Sequence, residues 1–419
     1  MEALSGIGKR AKAASFVLAA LENDEKREAL IRAAKALMAN ASFIIAENEK
    51  DMAAARDKGV SPAMLDRLVL NEKKINEMAE GMQQVASLPD PNNELLDSFI
   101  RPNGMVIEKR RVPVGVIGII YESRPNVTAD AFALTFRSGN ACILRGGSDA
   151  INSNSAITEV IRESLSKGEK DLSDAVILIK DTSHESVNEL VKMRQYLDLV
   201  IPRGGAALIR NVVSNSTVPV IETGTGNCHV YVDKDADLEK AVPIIVNGKT
   251  QRMGVCNAVE SLVIHKDIAE KALPLIYAAL HEKEVEIRGD ENSSSVLNGK
   301  EGVCAATEED YGTEYLGPVI SVKTVSSLDE AIEHINRYST HHSECIVTED
   351  KAAAENFLKR VDAACVYHNV STRFTDGFEF GFGAEIGIST QKIHARGPMG
   401  LNELMSYKYE IRGEGQIRP

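Results

Sequence analysis

The stretch RVPVGVIGIIYESRPNVTADAFALTFRSGNACILRGG, residues 111–147, decides the fold. Its apolar run at 114–121 is short, continuous and rich in Val and Ile, the pattern of a strand buried on both faces. A helix-length amphipathic segment separates it from a second apolar run at 141–144. The same rhythm continues through runs at 175–179, 197–201 and 218–221. Continuous apolar strands joined by helical crossovers indicate a parallel sheet covered on both faces, with ligand sites in the loops after the strands.

Downstream, runs at 259–264, 319–325, 344–347 and 363–367 repeat the theme, so a second α/β domain is expected from near Met253. Upstream, residues 1–88 read as helical. Leu4, Ile7, Ala11, Ala14, Leu18 and Leu21 fall on one helix face, and Ser61 and Pro62 suit an N-cap and first helical position. Two strand-like runs at 97–101 and 105–111 flank Pro102-Asn103-Gly104, a hairpin signal. The basic end Lys109-Arg110-Arg111 suits an arm rather than a core, and the alternating tail at 407–411 can pair with it. The expected organisation is an α/β fold with two parallel-sheet domains plus a small β-arm. The first domain covers 1–96 and 113–252, the second 253–390, and the arm and tail cover 97–112 and 400–419. Arm and tail imply a homo-oligomer, a dimer or higher, through shared sheet edges.

The chain has 419 residues, a formal charge of −13 and six Cys. An acidic average argues against broad binding to nucleic acid or to an anionic membrane. The longest apolar run, 112–121, is about half of what a bilayer-spanning helix needs, so no membrane span is expected. The helical face running from Leu4 to Leu21 reads as a mature, cytoplasmic amino terminus rather than a signal peptide. Six sparse Cys without C-x-x-C spacing are expected to be reduced.

Several motif fragments fail on inspection. Gly248-Lys249-Thr250 resembles the end of a phosphate-binding loop, but Pro243 stands where its first Gly belongs. Asp233, Asp235 and Asp237 start like a calcium loop, yet Leu238 and Ile244 occupy the positions that need Gly and Glu. Gly381, Gly383 and Gly387 are spaced one residue too long for a dinucleotide fingerprint. His341, His342, Cys345, Cys365 and His368 match no zinc spacing, so no metal is expected.

Among the cysteines, Cys142, Cys345 and Cys365 lie in apolar strands. Only Cys256 lies in a polar, glycine-containing turn, Arg252-Met253-Gly254-Val255-Cys256-Asn257, where an electropositive surrounding suits a reactive thiolate. A structural Cys in a loop is the alternative, and Cys228 beside His229 is the rival nucleophile. Glu222, ahead of the glycine-rich turn 223–227, is placed either for acid–base work or for turn formation.

Taken together, these segments resemble the aldehyde dehydrogenase superfamily and, within it, the γ-glutamyl phosphate reductases. The resemblance covers nearly the whole chain from about residue 5 and is carried by PVGVIGIIYESRPNVT at 113–128, SGNACILRGGSDA at 138–150 and IPRGG at 201–205. Further matches are ETGTGNCHVYVD at 222–233, QRMGVCNAVESLVIH at 251–265, EYLGPVISV at 314–322 and FGFGAEIGISTQKIHARGPMGLNEL at 380–404. In the superfamily the nucleophilic Cys follows a Glu-Gly segment by about 34 positions, and Cys256 follows Glu222 by 34. The resemblance therefore implies Cys256 as nucleophile and Glu222 as the acid–base candidate. It implies a cofactor-binding first domain and a catalytic second one.

By the same resemblance, Glu314 is expected on the nicotinamide ribose, Arg145 on the adenosine ribose, and Arg203, Gly204 and Gly205 on the cofactor. Ser148 stands where NAD-preferring relatives often carry an acid, which favours NADPH. The chain has Glu122-Ser123-Arg124-Pro125-Asn126 where oxidising relatives have Pro-Trp-Asn-Phe-Pro. The oxyanion donors are accordingly the Cys256 main-chain N–H with either Asn126 or Asn257. Arg124 with Ser123, then Arg252, are the expected phosphate clamps, and Asn369, Ser371 and Arg373 the candidates for the substrate's amino-acid end.

The implied activity is NADPH-dependent reduction of L-glutamate 5-phosphate to L-glutamate 5-semialdehyde and phosphate through a cysteine thioester, the second step of proline synthesis from glutamate. The alternative is an NAD(P)-dependent aldehyde dehydrogenase that hydrolyses its thioester. The reductase pattern and its helical lead-in account for the full length, so glutamate 5-kinase is expected as a separate functional partner.

Overall fold

Asp198 sets the start of the first parallel strand. In the computed structural model, which describes residues 3–418, its carboxylate accepts the Val116 N–H at 2.9 Å and pairs with Lys12 at 2.8 Å. Gly115, at φ +128°, is bare because a β-carbon there would overlap that carboxylate. The strand Val116–Tyr121 is thereby anchored to the helix Leu4–Ala19, whose face Leu4, Ile7, Ala11 and Leu18 is buried as its spacing predicts.

Four parallel strands form the first sheet, in the order Val176–Leu178, Ala141–Gly146, Val116–Tyr121, Leu199–Arg203. The expected strand at 218–221 is absent; only Val220 makes an isolated bridge, to Val200. Asn140 closes the turn before the second strand. Its side chain accepts the Gly115 N–H at 2.8 Å and donates to the Leu404 carbonyl at 2.9 Å, tying the C-terminal segment to the sheet. Ser61 precedes the helix Pro62–Leu68 without capping it through its side chain, and the side chain of Pro62 lies outside the described residues.

The hairpin and tail make a separate antiparallel sheet of Leu95–Ile100, Val106–Pro113 and Met405–Arg412. Its basic strand is neutralised locally. Arg110 pairs with Glu108 at 3.0 Å and Glu410 at 3.5 Å, Arg111 pairs with Glu94 at 2.8 Å, and Lys109 lies 3.8 Å from the Tyr407 ring centre. Phe99, Ile100, Tyr407, Tyr409 and Ile411 remain exposed on this sheet.

The second sheet has seven strands in the order Val303–Ala305, Glu286–Gly289, Val319–Val325, Val259–His265, Cys228–Val232, Ser343–Val347, Cys365–His368, all parallel. Its core packs Val230, Val232, Leu262, Ile264, Ile320 and Val347 against helices such as Lys266–His281. Cys228–Val232 pairs with Val259–His265 and Ser343–Val347, so the chain enters the second unit near Gly224, about thirty residues before the expected Met253. The two compact units comprise residues up to Thr223 with Gly381–Gly387 and from Met399 onward, and Gly224–Phe380 with Ile388–Pro398. The antiparallel sheet belongs to the first unit. Among the described residues no single helix is long and apolar enough to cross a membrane.

One buried histidine gives the second unit a pH dependence. His334, in the helix Leu328–Tyr338, packs edge-on to Tyr311 at 5.1 Å and against Tyr338 at 4.7 Å, and burial pushes its pKa down to about 3, with the neighbouring His229 charge acting in the same direction. The unfolded chain binds a proton there below the ordinary histidine value that the folded chain refuses. Folding stability therefore falls as pH drops from about 6.5 towards 3, by up to about 1.4 kcal/mol per pH unit from this residue. Urea unfolding of wild type and His334→Phe across that range is expected to show a shallower acid loss in the variant.

Candidate active site

In the first unit, two of the expected cofactor loops follow strands that flank Val116–Tyr121. Ser148 is exposed just after Ala141–Gly146, and Gly204 and Gly205 are exposed just after Leu199–Arg203. Arg145 is not displayed with them. It is 8% exposed, and its guanidinium donates to the carbonyls of Gly146 at 3.1 Å, Thr182 at 2.6 Å and Ser183 at 2.8 Å. Buried N–H groups commit to the nearest carbonyls, which corrects the expectation that Arg145 faces a ribose.

Glu122 has a role that its sequence context does not signal. Its carboxylate accepts the Gly205 N–H at 2.9 Å, at the start of the helix Ala206–Asn215, a position whose positive dipole end favours an anion. Ser123, at φ +40°, donates its hydroxyl to Asp149 and so ties two loops together instead of presenting that proton to substrate. Arg124 and Asn126 are exposed, and the Asn126 amide donates to Asp130 at 3.0 Å. Burial pushes the Asp130 carboxyl up to about 6, against the opposing effects of Asn126 and Arg203. Glu222 is half-buried at the end of this unit.

In the second unit, Cys256 is half-buried in the turn between the helix Leu238–Thr250 and the strand Val259–His265. Arg373 lies near it, with its Nε donating to Gln251 at 2.8 Å. Burial lowers the Arg373 pKa and repulsion from Arg252 adds to this, while the Cys256 thiolate acts to raise it. Two guanidinium charges thus act at the thiol's turn. Cys228 is fully buried, its pKa lies well above the ordinary thiol value because of that burial, and its Sγ donates to the Cys256 carbonyl at 3.1 Å. An inert, buried thiol is a structural group.

Three expected residues of this unit have their side chains spent elsewhere. The Asn257 amide donates to the carbonyls of Thr375 at 2.9 Å and Arg373 at 3.4 Å, which removes it as an oxyanion donor. Asn369 accepts the Thr348 N–H at 3.0 Å and donates to the Thr348 carbonyl at 3.0 Å. Ser371 donates to Asn247 at 2.7 Å and caps the short turn Thr372–Phe374. Both therefore hold loops in place, which corrects their expected role at the substrate's amino-acid end.

Glu314 is half-buried, and one of its carboxylate oxygens accepts the Gly226 N–H at 2.6 Å. Residues 3–295 and 304–409 match the model of the aldehyde dehydrogenase family. The chain belongs to that family. It is 61% identical over 418 residues to a γ-glutamyl phosphate reductase of Lachnospira eligens, covering 100% of both, and 56% identical over 412 residues to one of Clostridium botulinum, covering 98% of both. The crystal structure of γ-glutamyl phosphate reductase from Thermotoga maritima superposes with a TM-score of 0.97 at 49% identity over 100% of each chain.

The Cys256 turn also needs its neighbour to stay bare. A β-carbon on Gly226 would overlap the Cys256 carbonyl and lie 2.6 Å from its Cα. Gly226→Ala is expected to push the turn aside and lower turnover by about a hundredfold, the usual penalty of an ångström-scale misplacement. Turnover and the iodoacetamide labelling rate of the Cys256 peptide check this together; wild-type values for both would contradict it.

Proposed function

We propose that this chain is an NADPH-dependent γ-glutamyl phosphate reductase, converting L-glutamate 5-phosphate to L-glutamate 5-semialdehyde and phosphate as the second step of proline synthesis. The carrying observation is the half-buried Cys256 in a turn that carries Arg252 and interacts with Arg373, in a chain alike over its full length to relatives of that name. Two adjacent cations favour the thiolate, the nucleophilic form.

The thiolate attacks the acyl carbon, the C–O bond to phosphate breaks, and phosphate leaves with the bonding pair. The product is a thioester on Cys256. Arg124 and then Arg252, both exposed cations, are the candidates for the clamp on the leaving phosphate, and Arg373 is the remaining candidate for the substrate's amino-acid end. When bound, the reduced nicotinamide supplies the hydride that converts the thioester to a thiohemiacetal. Collapse of that species expels the Cys256 thiolate and releases the semialdehyde. Glu222 moves or holds the proton at the hemiacetal oxygen, and Asn126 with the Cys256 main chain stabilises the oxyanion.

The cofactor reading is supported in the first unit by the exposed Ser148 and Gly204-Gly205 loops and, by the resemblance, in the second by the half-buried Glu314 carboxylate as the candidate for the nicotinamide ribose. With Arg145 turned inward, the preference for NADPH rests on Ser148 and the resemblance. An oligomer is supported by the exposed Phe99, Ile100, Tyr407, Tyr409 and Ile411 on the antiparallel sheet. None of the six cysteines is in a disulfide, as suits a cytoplasmic enzyme. A glutamate 5-kinase activity is the matching source of the acyl phosphate.

Phosphate-dependent oxidation of the semialdehyde tests the reaction in reverse. Cys256→Ala is expected to lose it by about a thousandfold or more. Acid formation independent of phosphate would instead mark a hydrolytic enzyme. For the cofactor, Ser148→Asp is expected to raise the KM for NADPH by at least about fivefold, as a like-charge contact should, with a smaller change for NADH. Equal changes for both cofactors would contradict the placement of the 2′-phosphate.

A further inference from the structure

Lys249 and Glu260 bracket the Cys256 turn, Lys249 at the end of the helix Leu238–Thr250 and Glu260 at the start of the strand Val259–His265. Both are fully buried, and they pair at 2.5 Å across the base of the turn. Two opposite charges removed from water persist only when their remaining hydrogen-bonding capacity is used. Glu260 uses its second oxygen on another loop: Oε1 accepts the Leu316 N–H at 3.1 Å, and Leu316 sits in the left-handed region at φ +54°. Two residues earlier, Glu314 accepts the Gly226 N–H, and Gly226 packs on the Cys256 main chain. One carboxylate thus ties the nucleophile turn to the loop that carries Glu314.

We propose that Glu260, paired with Lys249, is a positioning residue that fixes the Glu314 loop against the Cys256 turn and so sets the affinity for the nicotinamide cofactor. This rests on the reading of Glu314 as the ribose ligand. Burial pushes the Glu260 carboxyl above its ordinary value and the Lys249 amine below its own, so each needs the other to stay charged. A carboxylate offers two acceptor oxygens and an amide only one. Gln at 260 must therefore abandon either Lys249 or the Leu316 N–H. With Lys249 replaced by Met, the amide oxygen has only the Leu316 N–H to accept.

The experiment is a titration of the purified, full-length chain with NADPH, followed by the cofactor's own fluorescence, in a protein that contains no Trp. Glu260→Gln is expected to weaken NADPH binding about fivefold, the worth of one net hydrogen bond, and to raise the KM for NADPH more than it lowers kcat. Lys249→Met/Glu260→Gln is expected to recover affinity to within about twofold of wild type. Should Glu260→Gln not fold, Glu260→Asp, too short to reach both partners, carries the same expectation. Unchanged NADPH affinity in these single variants, with only a lowered Tm, would overturn the proposal, as would a double variant no better than the single. Glu314→Ala separates the two readings. If Glu314→Ala weakens binding and Glu260→Gln does not, the positioning role alone falls; if Glu314→Ala also binds normally, the ribose reading falls and takes the positioning role with it.

Discussion

The main chain of Gly226 lies against the main chain of Cys256 so closely that no side chain fits between them, and this contact follows from parallel strand pairing. Cys228–Val232 and Val259–His265 are neighbours in the seven-stranded sheet, with Cys228 opposite Val259. Each strand is preceded by a turn, and the pairing lays one turn on the other. The Cys228 thiol donates to the Cys256 carbonyl from below, and the Gly226 N–H is held by Glu314. A cysteine in a loop would otherwise be poorly fixed; here the sheet register fixes it.

Charge is organised around the same contact in two ways. Arg373, from the segment after Cys365–His368, acts on the half-buried Cys256 and on Arg252 of the same turn, which supplies local positive charge in a chain of net charge −13. Lys249 and Glu260 are instead fully buried and mutually compensating, so their effect is geometric rather than a field at the thiol. The distinction matters chemically. An acyl phosphate is already activated, and the protein's main work is to orient it and to receive the leaving dianion.

Much of the fold was legible because a parallel strand buried on both faces is a continuous apolar run, as at 114–121 and 319–325. The strand Cys228–Val232 was not, because it carries His229, whose ring meets buried Glu344 at 2.9 Å, and Tyr231, which donates to Asp233 at 2.9 Å. Polar side chains satisfied inside the sheet broke the apolar pattern, and the unit boundary was consequently placed too late. For the site, residue type made Cys256, Arg252 and Arg373 candidates. It could not say where donors are spent, so Arg145, Asn257, Asn369 and Ser371, all committed to neighbouring carbonyls or side chains, looked like ligands. Lys249 and Glu260 carried a signal of their own, a charged residue close to Cys256 in each of the two elements that flank it.

The central claim is that Cys256 carries the acyl group. Mixing the enzyme with L-glutamate 5-semialdehyde and NADP⁺ without phosphate, quenching in acid and mapping peptides by mass tests it directly. The account expects a burst of reduced nicotinamide matched by a glutamyl group on the peptide bearing Cys256, discharged when phosphate is added. A burst with no adduct there, or an adduct on the Cys228 peptide, would contradict it.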